Sequence, residues 1–113
     1  MVTATQTLVR GGTMFVQLVR CRVKAGAWPQ VEAWLRRWQA EEAPSSVGYK
    51  GEYLLREQDD PKGGWFIALF ETAEAAQRAS DSPATTAYYH ELLTLLEEEP
   101  TFINTDVVHH YLL

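Results

Sequence analysis

Cysteine is nearly absent from this sequence. Cys21 stands alone, so no disulfide forms within one chain and a cysteine-based zinc site has no partners. A single thiol fits a reducing compartment, and we expect the cytoplasm. Long apolar runs are also missing. None reaches the ~18 residues that a spanning helix needs, and the first residues lack the basic start and apolar centre of a secretory leader. Positive charge is scarce: 10 Lys and Arg stand against 15 Asp and Glu, for a net charge of −5. The basic residues are scattered as well, which disfavours phosphate backbones and anionic membrane surfaces as partners. Histidine occurs only 3 times, too thinly for an expected metal site.

What remains is ordinary globular material. The chain has 113 residues, of which 46% are hydrophobic and 12% aromatic. That length fits one domain with a modest core and little surplus. Residues 1–13 are Thr-rich and end near Gly11-Gly12. They read as an extension ahead of a domain spanning 14–113, and Met14 is itself a candidate start.

Periodicity divides the domain into elements. Met14 to Lys24 alternates as a strand, with Phe15, Gln17, Val19, Cys21 and Val23 on one face and Met14, Val16, Leu18, Arg20 and Arg22 on the other. Trp28, Val31, Trp34, Leu35 and Trp38 form one stripe of a helix over 28–42, with Pro29 in its first turn. Val47 to Glu57 predicts a second strand with Tyr49, Gly51, Tyr53 and Leu55 on one face. The turn run 59–64 joins it to a third strand over 65–71. Thr72 suits an N-cap for a short helix over 73–80, and Asp81-Ser82-Pro83 starts another over 84–98. A last strand is expected from Thr101 to Leu112.

The order β-α-β-β-α-β predicts an α+β, ferredoxin-like domain, a four-stranded antiparallel sheet with helices on one face. The other face then carries Val16 and Leu18 with nothing to cover them. A second copy packed sheet on sheet would supply the cover, so a homodimer is expected.

One stretch supports a resemblance. Trp65-Phe66-Ile67-Ala68-Leu69-Phe70-Glu71-Thr72-Ala73-Glu74-Ala75 is followed by Ser80-Asp81-Ser82-Pro83 and by Tyr88-Tyr89-His90-Glu91-Leu92-Leu93. This is similar to the antibiotic biosynthesis monooxygenase-like proteins of the dimeric α+β barrel superfamily. The resemblance implies a homodimer with a pocket between sheet and helices. It also implies one of two activities, cofactor-independent oxygenation of aromatic or polyketide-like compounds, or haem degradation. The haem-degrading pattern places Trp at Ala79, His at Tyr89 and Asn near Val19, and this chain departs from it at all three. The reading is therefore a cofactor-independent monooxygenase acting on a small aromatic or polyketide-like compound. The alternative is a non-catalytic small-ligand-binding or stress-response protein of the same fold.

Oxygenation without a cofactor needs a dry apolar pocket, hydrogen-bond donors for a developing anion, and a base. We expect His110 and Tyr89 as catalytic residues, and Trp34, Tyr53, Trp65 and Tyr88 as substrate-binding ones. The same aromatics also serve simply to fill a small core. His90 falls off the apolar stripe of its helix and is read as surface, and Cys21 as a buried filler. Neighbouring His109 and His110 on a strand point to opposite faces and do not chelate one metal together.

Overall fold

The first strand sets the frame. A computed structural model of the chain describes residues 13–113, so the predicted extension lies outside the described residues except for Thr13. β1 (Phe15–Arg22) alternates apolar side chains on both faces and occupies a central place in the sheet. It pairs antiparallel with β3 (Gly63–Phe70) on one side and β4 (Thr101–Asp106) on the other, and β2 (Tyr49–Arg56) pairs with β3 at the edge. The order β2-β3-β1-β4 is the ferredoxin-like arrangement predicted from the element order.

Three helices lie on one face. α1 (Trp28–Glu41) starts with Pro29, whose missing N–H costs nothing in the first turn, and buries Val31, Leu35 and Trp38. α2 (Ala73–Asp81) is capped by Thr72, whose hydroxyl accepts from the Ala75 N–H at 3.1 Å. α3 (Pro83–Leu93) follows directly. It ends earlier than the apolar pattern predicts, because the Thr94 hydroxyl bonds back to the Glu91 carbonyl at 2.7 Å and the chain turns. The turn brings Leu95 and Leu96 to the end of β1. Lys24 N–H donates to the Leu95 carbonyl, and Leu96 forms a bridge with Val23. No helix among the described residues is long and apolar enough to cross a membrane.

The strand faces follow from the pairing, because residues directly opposite one another project to the same side. Phe15, Gln17, Val19 and Cys21 face the helices, as their spacing predicts. Their neighbours Val16, Leu18 and Arg20 face away. β2 departs from the prediction. Tyr49 pairs with Phe70 but Gly51 pairs with Leu69, so Lys50 is an extra, unpaired residue. This bulge turns Tyr49, Glu52 and Leu54 toward the helices and Gly51, Tyr53 and Leu55 away from them. Gly51 sits at φ +141°, a conformation that side chains rarely adopt. β4 also departs, since the ladder stops at Asp106 and the Val107 N–H bond to the Met14 carbonyl. Residues 108–113 follow without strand pairing and are exposed.

The core divides in two. One cluster gathers Val19, Cys21, Val23, Val31, Phe66 and Leu96, and the other Phe15, Ala68, Phe70, Ala75 and Ala76. Cys21 fills the first, and burial pushes its thiol up to about 11, too high for a nucleophile near neutrality. The opposite face of the sheet bears no helix. Tyr53 and Leu55 are 63% and 45% exposed there, and Ile103 is 42% exposed.

The helix starts differ in a way that can be measured. Thr72 makes its capping bond, whereas Ser82, the N-cap of α3, makes none. Thr72→Ala should lower the stability seen in urea unfolding by about 1 kcal/mol. Ser82→Ala should change it by less than about 0.5 kcal/mol.

Candidate functional site

Between the two core clusters the helices stand off the sheet and border an open-sided cavity of about 480 Å³. This volume lies within the range of small-molecule sites, roughly 300–1,000 Å³. Its floor is the sheet, read as three cross-strand rows. Asp106, Phe15, Phe70 and Tyr49 form one row, and Phe102, Val19, Phe66 and Leu54 form another. Between them runs Asn104, Gln17, Ala68 and Glu52. A largely polar row therefore crosses the floor between two largely apolar ones. Trp34 and Trp38 of α1 wall one side, and Tyr89 and Leu92 of α3 the other.

Trp34 lines this cavity, as its place in the middle of α1 predicts. Its ring meets Phe66 edge-on at 5.7 Å, and its N–H donates to the Tyr88 carbonyl at 2.8 Å. With that proton committed, Trp34 offers a ligand an apolar face and no hydrogen bond. Tyr89 also lines the cavity and packs against Phe102 at 5.9 Å. Burial first, and Glu99 second, raise its hydroxyl above the ordinary tyrosine value, so it stays a protonated donor.

The other predicted residues are not brought to the cavity. Tyr53 and Trp65 project from the helix-free face. The bulge at Lys50 turns Tyr53 there, and Trp65 pairs with Arg20. Tyr88 neighbours Tyr89 on α3 but points toward α1. Its hydroxyl donates to Glu41 and its ring lies under Arg37. His110 is exposed beyond the end of β4, because the predicted strand stops short of it. His109 is exposed as well, and His90 lies on the surface as its helical position predicts. No group of three or more metal-binding side chains occurs among the described residues.

The acidic residue in the cavity is Glu52, which the sequence pattern did not single out. Lysine, glycine and glutamate in a row look like solvated strand edge, and only the bulge turns this carboxyl inward. Tyr49 O–H donates to Glu52 Oε1 at 3.2 Å. Burial pushes the carboxyl up from its ordinary 4.5 to about 7, and the Tyr49 hydrogen bond opposes the rise. Burial is also the main cause that raises the Tyr49 hydroxyl, with the Glu52 charge second. Gln17 is the second polar group sequence reasoning passed over. Its side-chain N–H donates to Asn104 Oδ1 at 3.2 Å.

With that geometry in hand, the solved structures give the fold its relatives. A protein of Nitrosomonas europaea named "Putative antibiotic biosynthesis monooxygenase" superimposes with a TM-score of 0.74 at 16% identity, over 87% of this chain and 93% of that one. The fold is that of the antibiotic biosynthesis monooxygenase-like proteins. A Caulobacter crescentus protein of the same printed name gives a TM-score of 0.76 at 12% identity, over 93% and 99% of the two chains. A Nitrosomonas europaea protein of unknown function gives 0.70 at 18% identity, over 90% and 96%. No family profile matches the sequence, and no curated protein is similar to it at a significant level.

The position of Glu52 has a thermodynamic consequence. Its folded-state pKa lies above its ordinary one, so the protonated form favours the fold. That stabilisation is complete below about pH 4.5 and is lost as pH rises through about 7. Glu52→Gln mimics the protonated acid. It should raise stability at pH 8 by about 1–3 kcal/mol, the upper part of this range following from the size of the shift. The difference should vanish near pH 4. Denaturant melts at the two pH values check it.

Proposed function

We propose that the chain is a cofactor-independent monooxygenase for a small, flat aromatic or polyketide-like compound, with Glu52 as its general base. The observation that carries this reading is a lone carboxyl poised near pH 7 inside an aromatic-walled cavity. A base works best when its pKa lies near the operating pH. The cavity walls are largely apolar and offer flat faces to a flat substrate.

The chemistry is that of a substrate acidic enough to supply its own electrons. The Glu52 carboxylate takes a proton from a methylene flanked by an aromatic ketone system. The resulting anion is stabilised by donors such as the Tyr89 hydroxyl. It reduces molecular oxygen and forms a carbon–oxygen bond. The peroxide loses water to leave a new ketone, so that one methylene compound and one oxygen molecule give one ketone and one water. Here Glu52 takes the role that the sequence reading assigned to His110.

Oxygen uptake with anthrone-type substrates, by protein freed of metal and flavin, should follow a pH profile that rises with a midpoint near 7. Glu52→Gln should lower kcat by about a hundredfold or more and remove the rise. Ligand binding without oxygen uptake across such a panel would instead make the chain a binding protein of the same fold. Its antibiotic biosynthesis monooxygenase-like relatives and the neighbour of unknown function share the architecture, which supports a pocket but not a named reaction.

We further infer that the chain works as a homodimer through the helix-free face of the sheet. Val16, Leu18, Ile67 and Leu69 form the centre of that face, with Tyr53 and Ile103 exposed at its sides. Two such faces packed about 10 Å apart would bury this apolar surface. Light scattering should give a dimer at micromolar concentration. Ile103→Asp and Leu18→Asp should give monomers or loss of folding, and normal dimers from both variants would place the interface elsewhere.

A further inference from the structure

The middle row of the cavity floor contains more polarity than a purely apolar ligand requires. Glu52 stands on β2 and Gln17 on β1, with Ala68 of β3 between them. Adjacent strands lie about 4.8 Å apart, so the two polar residues rise from the floor about 10 Å from each other. Ala68 is the smallest side chain on that stretch of floor, and Phe66 and Phe70 flank it along the strand. A shallow slot results, with an amide at one end and a carboxyl at the other.

Each end is held in place. Asn104 accepts one proton of the Gln17 amide, and among the described residues the second N–H and the carbonyl oxygen of that amide are left for a ligand. Tyr49 holds the Glu52 carboxyl. The Gln17 end is the open one, since Phe102 beside it is 48% exposed and Asn104 is exposed too. Ser80, Thr85 and Thr86 complete the polar lining from α2 and α3.

We propose that Gln17 is a specificity-determining residue and that the cavity selects fused-ring compounds oxygenated on two opposite edges. One oxygen hydrogen-bonds to the Gln17 amide, the ring system lies over Ala68 between Phe66 and Phe70, and the opposite edge, which carries the reacting methylene beside its own oxygen, faces Glu52. This rests on the cavity being a ligand site, as proposed above, and specifies the ligand. A slot with one polar end would orient a flat molecule in either direction. Two polar ends of different chemistry fix the direction and therefore the edge presented to Glu52. The amide carries no charge at any working pH, so it recognises a ketone or a phenol alike.

Binding can be read by isothermal titration calorimetry without any turnover, using naphthalene, 2-naphthol and 2,6-dihydroxynaphthalene as probes. The native protein should bind the doubly oxygenated probe about tenfold or more tighter than naphthalene. Gln17→Leu should weaken that probe by about tenfold and leave naphthalene within about twofold. Should Gln17→Leu fail to fold by circular dichroism, Gln17→Asn, which withdraws the amide by one methylene, should show a smaller loss confined to the doubly oxygenated probe. Equal affinity of the native protein for all three probes, or equal weakening of all three by the substitution, would overturn the selectivity and leave the cavity reading standing. No binding of any probe to the folded protein would overturn both.

Discussion

Everything in this fold hangs on the antiparallel pairing of β1 with β3. These two strands are apolar on both faces and hold the centre of the sheet. Their helix-side residues anchor two separate patches of core, one packed by α1 and the end of α3, the other by α2. α1 spans both patches and carries Trp34 and Trp38 along the side of the space between them. Ala68 lies where a larger side chain would have closed the gap. The cavity is thus a product of where the core is well packed.

Electrostatics then decides which residues matter inside it. A charged carboxylate half-buried beside aromatic rings is costly, and Glu52 meets that cost by holding its proton to nearly neutral pH. The surface ion pairs behave differently. Arg22 with Asp60 ties the end of β1 to the turn after β2, and Lys62 with Glu97 ties that turn to the segment following α3. They serve the fold as exposed pairs of modest individual value. The aromatic residues divide the same way. Trp34 and Tyr89 form walls and Phe66 part of the floor, while Trp28 donates to the Pro61 carbonyl at 2.6 Å and stacks under Arg56, a structural task at the far end of the sheet.

Much of the architecture was legible in the residues. The alternation of β1, the stripe on α1, the Thr72 cap and the Pro83 start of α3 each rest on local chemistry that a sequence displays directly. The site was legible only in part. Trp34 and Tyr89 follow from helical position, which tertiary contacts did not alter. Tyr53, Tyr88 and His110 were misplaced for separate physical reasons: a bulge reversed one strand's faces, two adjacent helix residues necessarily diverged, and the last ladder ran out of partners. Glu52 and Gln17 were invisible because a lone polar residue in a strand looks the same whether it meets water or a cavity. Only the pairing of rows across four strands distinguishes the two cases.

The bulge at Lys50 has an evolutionary corollary. Side chains in a strand alternate, so gaining or losing one codon ahead of Glu52 would carry the acid to the other side of the sheet and bring Tyr53 into its place. The backbone would hardly change. Chains that share this shape at 16% identity can then differ in chemistry through a single slipped residue, while every strand and helix stays where it was. Lineages of this fold could exchange one reaction for another by indel, without passing through a long series of substitutions.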